Sequence, residues 1–150
     1  MKASGTREFA APPQAVWDVL NDPSELAGLL PGVEKFDVQD DKNWFATVKV
    51  PLGLGGLKLK FHFEKIEERP IERAALRAKG KGVGAVVSMD TGFDLKPVGE
   101  GTSMDWTADV QVLGQIGGMG QRVLQPIVNQ QVGQVLEALD ERVQARAAAG

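Results

Sequence analysis

The sequence predicts an α+β fold in which a curved, seven-stranded antiparallel sheet wraps around one long C-terminal helix. Three observations carry this. From Met119 to Arg146, apolar residues recur in steps of three and four at Leu124, Val128, Val132, Val135, Leu136, Leu139 and Val143, one stripe of an α-helix. Upstream, the chain reads mainly as short runs alternating apolar and polar residues. The strictest sets Leu57, Leu59, Phe61 and Phe63 against Lys58, Lys60, His62 and Glu64. The turns between these runs are short, which favours antiparallel neighbours. A helix of about 40 Å must bury its stripe, and a sheet is the only large partner in the chain.

Taken in order, Lys2 to Ala10 reads as a first strand, stopped by Pro12 and Pro13. Pro13 opens a short helix whose packing face is Ala15, Val16, Trp17, Val19 and Leu20. Asp22-Pro23 ends it, and Ser24 to Leu29 is a second short helix. Leu30-Pro31-Gly32 turns the chain, with Gly32 free to take a positive φ. Val33 to Gln39 and Lys42 to Val50 form a hairpin around Asp40-Asp41, with Trp44, Ala46, Val48 and Val50 on one face and Phe45 as an apolar exception on the other. Pro51 to Gly56 is a glycine-rich break before the Leu57 strand, and Glu67 to Pro70 a turn into a strand at Glu72 to Gly82. Ala85 to Pro97 follows, then a strand in which Met104, Trp106, Ala108, Val110 and Val112 point inward. Gly114 to Gly120 leads into the long helix, inside which Pro126 removes one backbone hydrogen bond and is expected to kink the first turns.

At 150 residues the chain reads as one domain with a sizeable core. A net charge of −3 argues against a general nucleic-acid or anionic-membrane binder. Charge is uneven, however: residues 57–82 carry eight Lys/Arg against four Glu, leaving +4 there and −7 elsewhere. That surface is either the solvated outer face of strands or a dock for an acidic partner. Cysteine is absent, which excludes disulfides, thiolate metal sites and cysteine nucleophiles. Without a signal-peptide layout or an apolar run of about 18 residues, the expectation is a cytoplasmic protein that meets a membrane only from its surface.

Catalytic and metal-ligating residues are expected to be absent. The single histidine, His62, lies at outward parity and supports neither a zinc site nor a Ser-His-Asp triad. Asp90, Asp94, Asp105 and Asp109 also fall outward, and no tyrosine is present. The glycine clusters at 53–56, 80–84 and 114–118 lack the pattern of a phosphate loop and read as bends. The inward residues mix large side chains with very small ones: Ala46, Ala74, Ala78, Gly80 and Ala108. Large beside small either interlocks into a solid core or leaves an apolar cavity under the helix. A cavity would be lined by Leu30, Trp44, Val48, Leu59, Phe61, Phe63, Leu76, Ala78, Val87, Met89, Trp106, Leu124 and Val128. Gln121 and Gln125, at the N-terminal end of the helical stripe, either meet water or offer an amide to a ligand's polar head.

Six segments together resemble the G-subunit family of carbon monoxide dehydrogenase, within the START-like (polyketide cyclase/Bet v 1-like) helix-grip superfamily. They are Ala11-Pro12-Pro13 with Val16-Trp17, Asp22-Pro23, Leu30-Pro31-Gly32-Val33-Glu34, Ala46-Thr47-Val48-Lys49-Val50, Ala108-Asp109-Val110-Gln111 and Gly120-Gln121-Arg122. The resemblance implies a helix-grip fold around a hydrophobic cavity and no catalytic motif. It implies no tightly required cofactor, but a bound quinone or lipid. The implied partners are that hydrophobic molecule, a molybdenum hydroxylase of the carbon monoxide dehydrogenase type and, peripherally, the inner face of the membrane. A START-like cyclase or lyase, for which Arg122 is the nearest candidate group, and a ligand-free protein adapter are the alternatives.

Overall fold

The computed structural model describes residues 1–52 and 55–149. Seven strands form one antiparallel sheet: β1 (Lys2–Phe9), β2 (Val33–Val38), β3 (Asn43–Leu52), β4 (Gly55–Arg69), β5 (Arg73–Gly82), β6 (Ala85–Val98) and β7 (Gly101–Leu113). Their spatial order is β1-β7-β6-β5-β4-β3-β2, so each strand from β2 onward pairs with the next and β1 closes back onto β7. Helices α1 (Pro13–Leu20) and α2 (Pro23–Leu29) link the two sheet edges, and α3 (Gln121–Ala149) follows β7. The fold is α+β, with the sheet curved around the long helix.

Local chemistry sets the element ends. Pro13 begins α1, and the Asp22 carboxylate caps α2 by accepting from the Ser24 amide at 2.9 Å. Gly32 takes φ 76°, and a Cβ there would run into the Lys49 carbonyl oxygen. Gly32→Ala is therefore expected to destabilise the fold by about 2–3 kcal/mol, read from chemical denaturation.

Several boundaries differ from the sequence expectation, three of them for a visible local reason. Strand β4 runs on to Arg69, and the turn sits at Pro70–Glu72, because a bulge between Lys65 and Glu67 absorbs one residue and keeps the ladder with β5 in register. The long helix begins at Gln121, not Met119: residues Gly117–Met119 make a 3₁₀ turn, and Gly120 at φ 84° separates it from α3. The break expected at Pro51 to Gly56 is shorter, since Pro51 and Leu52 belong to β3 and Gly55 and Gly56 to β4; Gly53 and Leu54, part of the first glycine cluster, lie outside the described residues.

The largest cluster of buried apolar residues lies where α3 meets α1. There Leu139 and Val143 of α3 meet Val16, Trp17 and Leu20 of α1 together with Phe9, Leu95 and Met104 of the sheet. On the outer face, Phe45 stacks on His62 with centroids 4.7 Å apart, which explains its break with the alternation. Lys65, expected among the outward cations, points inward. Its ammonium, with a side chain only 5% exposed, donates to the Asn21 carbonyl at 2.7 Å and satisfies the end of α1.

Candidate ligand cavity

The apolar stripe of α3 is not packed uniformly. Leu139 and Val143 are fully buried, but Val128, Val132, Val135 and Leu136 are only half-buried. The helix backbone approaches α1, α2 and β1 more closely than the central strands. Its N-terminal half therefore stands off the sheet, and the gap is an apolar cavity of about 300 Å³. Leu20, Leu26, Leu29 and Leu30 close one side, the concave faces of β3 to β7 form the floor, and the α3 stripe from Leu124 to Leu139 forms the roof.

One wall is aromatic. Trp44 and Phe63 lie parallel, 5.7 Å between centroids and 5° between planes, and Phe61 tilts against Phe63 at 5.6 Å. Trp106 adds a further ring. Apart from the indole groups, the polar side chains lining the cavity are Thr91 and Gln131. The Thr91 hydroxyl donates to the Thr107 carbonyl at 2.7 Å, so its hydrogen is already used. The half-buried Gln131 amide has no protein hydrogen-bond partner among the described residues, which leaves it free for a ligand.

No titratable side chain lines the cavity among the described residues. The displaced pKa values lie elsewhere. The Lys42 amide, followed by the Asn43 side chain, holds Asp40 below its ordinary value of 3.8 in the β2–β3 turn. Glu67, with Asp94 also close, raises the Arg73 guanidinium on the outer face, at 2.8 and 2.7 Å respectively. Among the described residues no cluster of three or more His, Asp or Glu could hold a metal ion. The cavity is equipped to hold an apolar molecule by shape, ring contact and one amide.

Residues 5–144 match the family described as the G-subunit of carbon monoxide dehydrogenase (CoxG). The chain belongs to the CoxG family. No curated protein sequence matches it. Among solved structures, the chain is similar to a conserved protein from Geobacillus kaustophilus, at TM-score 0.88 and 20% identity over 97% of this chain and 96% of that one. It is also similar to the ZhuI aromatase/cyclase from a Streptomyces species, at TM-score 0.74 and 19% identity over 100% and 98% of the two chains. A START superfamily protein from Mycobacterium smegmatis aligns at TM-score 0.74 and 14% identity over 96% and 97%. At these identities the structural likeness speaks for the fold.

In this CoxG-family chain the cavity is lined by Leu30, Trp44, Val48, Leu59, Phe61, Phe63, Leu76, Val87, Met89, Trp106, Leu124 and Val128, among others. Three expected residues fall outside it. Ala78 is buried between its cross-strand partners Phe63 and Met89 and reaches no void. Gln121 is exposed in the first turn of α3, beyond the end of the apolar roof. Gln125 turns along the helix to donate to Asn129 at 2.9 Å. The expected large-beside-small pairing occurs, but it works locally: Gly80 sits where a Cβ would meet the Phe61 ring, and Gly5 seats Trp106. Of the five small inward residues, only Ala108 lines the cavity. Void volume comes instead from the stand-off of α3. Sequence reasoning misses the leucines of α1 and α2, Ile127 and Gln131; Ile127 and Gln131 extend the helical stripe from Leu124 in steps of three and four, a signal the sequence does contain.

Proposed function

We propose that this CoxG-family chain is a non-enzymatic carrier that holds one hydrophobic small molecule, a quinone or a lipid, in the α3 cavity. It would serve a molybdenum hydroxylase of the carbon monoxide dehydrogenase type, with peripheral contact at the inner membrane face. The observation that carries this reading is the cavity itself: about 300 Å³ of apolar space with a stacked aromatic wall and one unpartnered amide. That volume sits at the small end of the ~300–1,000 Å³ typical of ligand sites. It suits a ring system or the first part of a chain.

Titration with a short-chain quinone tests the reading directly, because Trp44 and Trp106 line the cavity while Trp17 lies in the α1 core. Saturable quenching of tryptophan fluorescence at one site is expected, with a matching adduct in native mass spectrometry. If the Gln131 amide donates to a ligand carbonyl, Gln131→Leu should weaken binding about fivefold, the worth of one neutral hydrogen bond. A chain that neither quenches nor carries an adduct, and also refuses lipids, would sink the carrier reading.

The likeness to an aromatase/cyclase gives an enzyme reading one supporting observation. Such chemistry needs an acid or base facing the substrate. Arg122, the nearest candidate, is exposed at the start of α3 and is not part of the cavity wall. The carrier reading is therefore preferred.

A further inference from the structure

The two edges of the sheet are finished differently. At the β1 edge the concave-facing side chains, Ala3, Gly5 and Arg7, are small or charged, and Asp140 of α3 holds the Arg7 guanidinium at 3.2 Å. A charge turned inward protects an edge against a further strand. At the β2 edge Phe36 and Val38 take the equivalent positions. Their cross-strand neighbours Ala46 and Trp44 are each 1% exposed, yet Phe36 and Val38 remain 46% and 37% exposed. Ala27 of α2 joins Trp44 and Ala46 in one buried cluster, and that cluster does not extend to Phe36 or Val38.

The backbone of β2 is open on the same side. The Gln39 amide donates to the Asn43 carbonyl at 3.1 Å, so antiparallel alternation turns the peptide groups of Asp37 and Lys35 towards β3. Those of Phe36 and Val38 therefore face the free edge. Lys35 and Asp37 point to the outer face, in register with Thr47 and Phe45 of β3. Both are exposed and neither has an ion-pair partner among the described residues, while the neighbouring Glu34 meets Lys58 at 3.3 Å. The edge thus offers unpaired backbone, an apolar concave side and one free charge of each sign.

We propose that β2 pairs with β2 of a second copy of this chain, antiparallel about a two-fold axis through Phe36, so that the two sheets continue as one. The order of residues in β2 specifies that register. About Phe36, each Lys35 stands opposite Asp37 of the other copy, which makes two Lys–Asp pairs on the outer face, and the two Phe36 rings meet on the concave face. A slip of two residues in either direction sets Lys35 opposite Lys35 or Asp37 opposite Asp37, and a slip of one reverses the faces. A strand whose charges complement their own reverse order fits a second copy better than an unrelated strand. Each copy offers one such edge, so the assembly closes as a dimer. Its six residues a side fall below the about 20–30 of a standard interface, and the dimer should be weak and concentration-dependent.

Sedimentation equilibrium tests this, and no ligand is needed. The unaltered chain should dimerise reversibly, with a dissociation constant between about 10 μM and 1 mM. Lys35→Glu alone, or Asp37→Lys alone, sets like charges opposite each other at both pairs and should weaken the dimer about tenfold or more. An equimolar mixture of these two single variants should associate within about threefold of the unaltered chain, because each pair is again of opposite sign. Both side chains are exposed, so the thermal midpoints of the single variants should stay unchanged. Phe36→Ser should abolish association with little loss of stability, since the ring lies outside the buried clusters. A chain still monomeric at about 1 mM overturns the proposal. So does a dimer that the charge variants leave intact, or one that they weaken without rescue in the mixture. A monomer that captures a strand of another protein at this edge overturns it as well. The outcome is independent of whether the α3 cavity holds a ligand.

Discussion

Truncating Leu139 to alanine is expected to destabilise the fold by about 3–5 kcal/mol, while Leu124→Ala is expected to cost about 2 kcal/mol or less. Both leucines belong to the α3 stripe and are almost equally buried, at 2% and 7% exposure. They differ in what stands opposite. Leu139 closes the far end of the cavity roof but is also packed among Phe9, Leu20 and Met104, where neighbours fixed by α1 and the sheet cannot collapse into a new hole. Leu124 borders space that is already empty, so its removal adds little unfilled volume and forfeits mainly its own transfer free energy. Urea denaturation followed by circular dichroism would give both values. Equal losses would mean that α3 is packed solidly along its whole length in solution and that the cavity is closed.

The contrast also marks how far the sequence can be read. Parity along each strand follows from local alternation, so the inward rows through Leu59, Phe61 and Phe63 or through Met104, Trp106 and Ala108 are legible in the chain itself. The helical stripe is legible for the same reason, as is the START-like architecture once the Leu30-Pro31-Gly32 turn and the Gly120-Gln121-Arg122 segment are placed at their separations. The distance of α3 from the sheet is not legible. It depends on how α1 and α2 seat the far end of the helix through Val16, Leu20 and Leu139, a long-range arrangement that no local pattern encodes. Helical spacing alone misplaces the polar residue of the cavity because its position depends on where α3 starts. With the start at Gln121 behind Gly120, the first turn overshoots the cavity, and Gln131, nearly three turns further on, is the glutamine that faces it.

Val132→Trp is expected to reduce quinone or lipid affinity at least about 100-fold while leaving the fold as stable as before, or more stable by about 1–2 kcal/mol. Val132 lies mid-way along the cavity roof and is half-buried only because nothing fills the space beneath it. An indole there has room to enter the void of about 300 Å³ and bury extra apolar surface, so the overpacking cost of a solid core does not arise. The same indole excludes a ligand, which must then displace it or bind elsewhere. Calorimetry is the appropriate readout for binding, since a new tryptophan confuses fluorescence, and thermal unfolding gives the stability. Val143→Trp serves as the control: that position is 1% exposed with no cavity beside it, and the substitution should cost about 3 kcal/mol or more. If Val132→Trp instead destabilises like Val143→Trp and leaves binding unchanged, the ligand does not occupy the α3 cavity. The outer face of the sheet would then be the place to look for it.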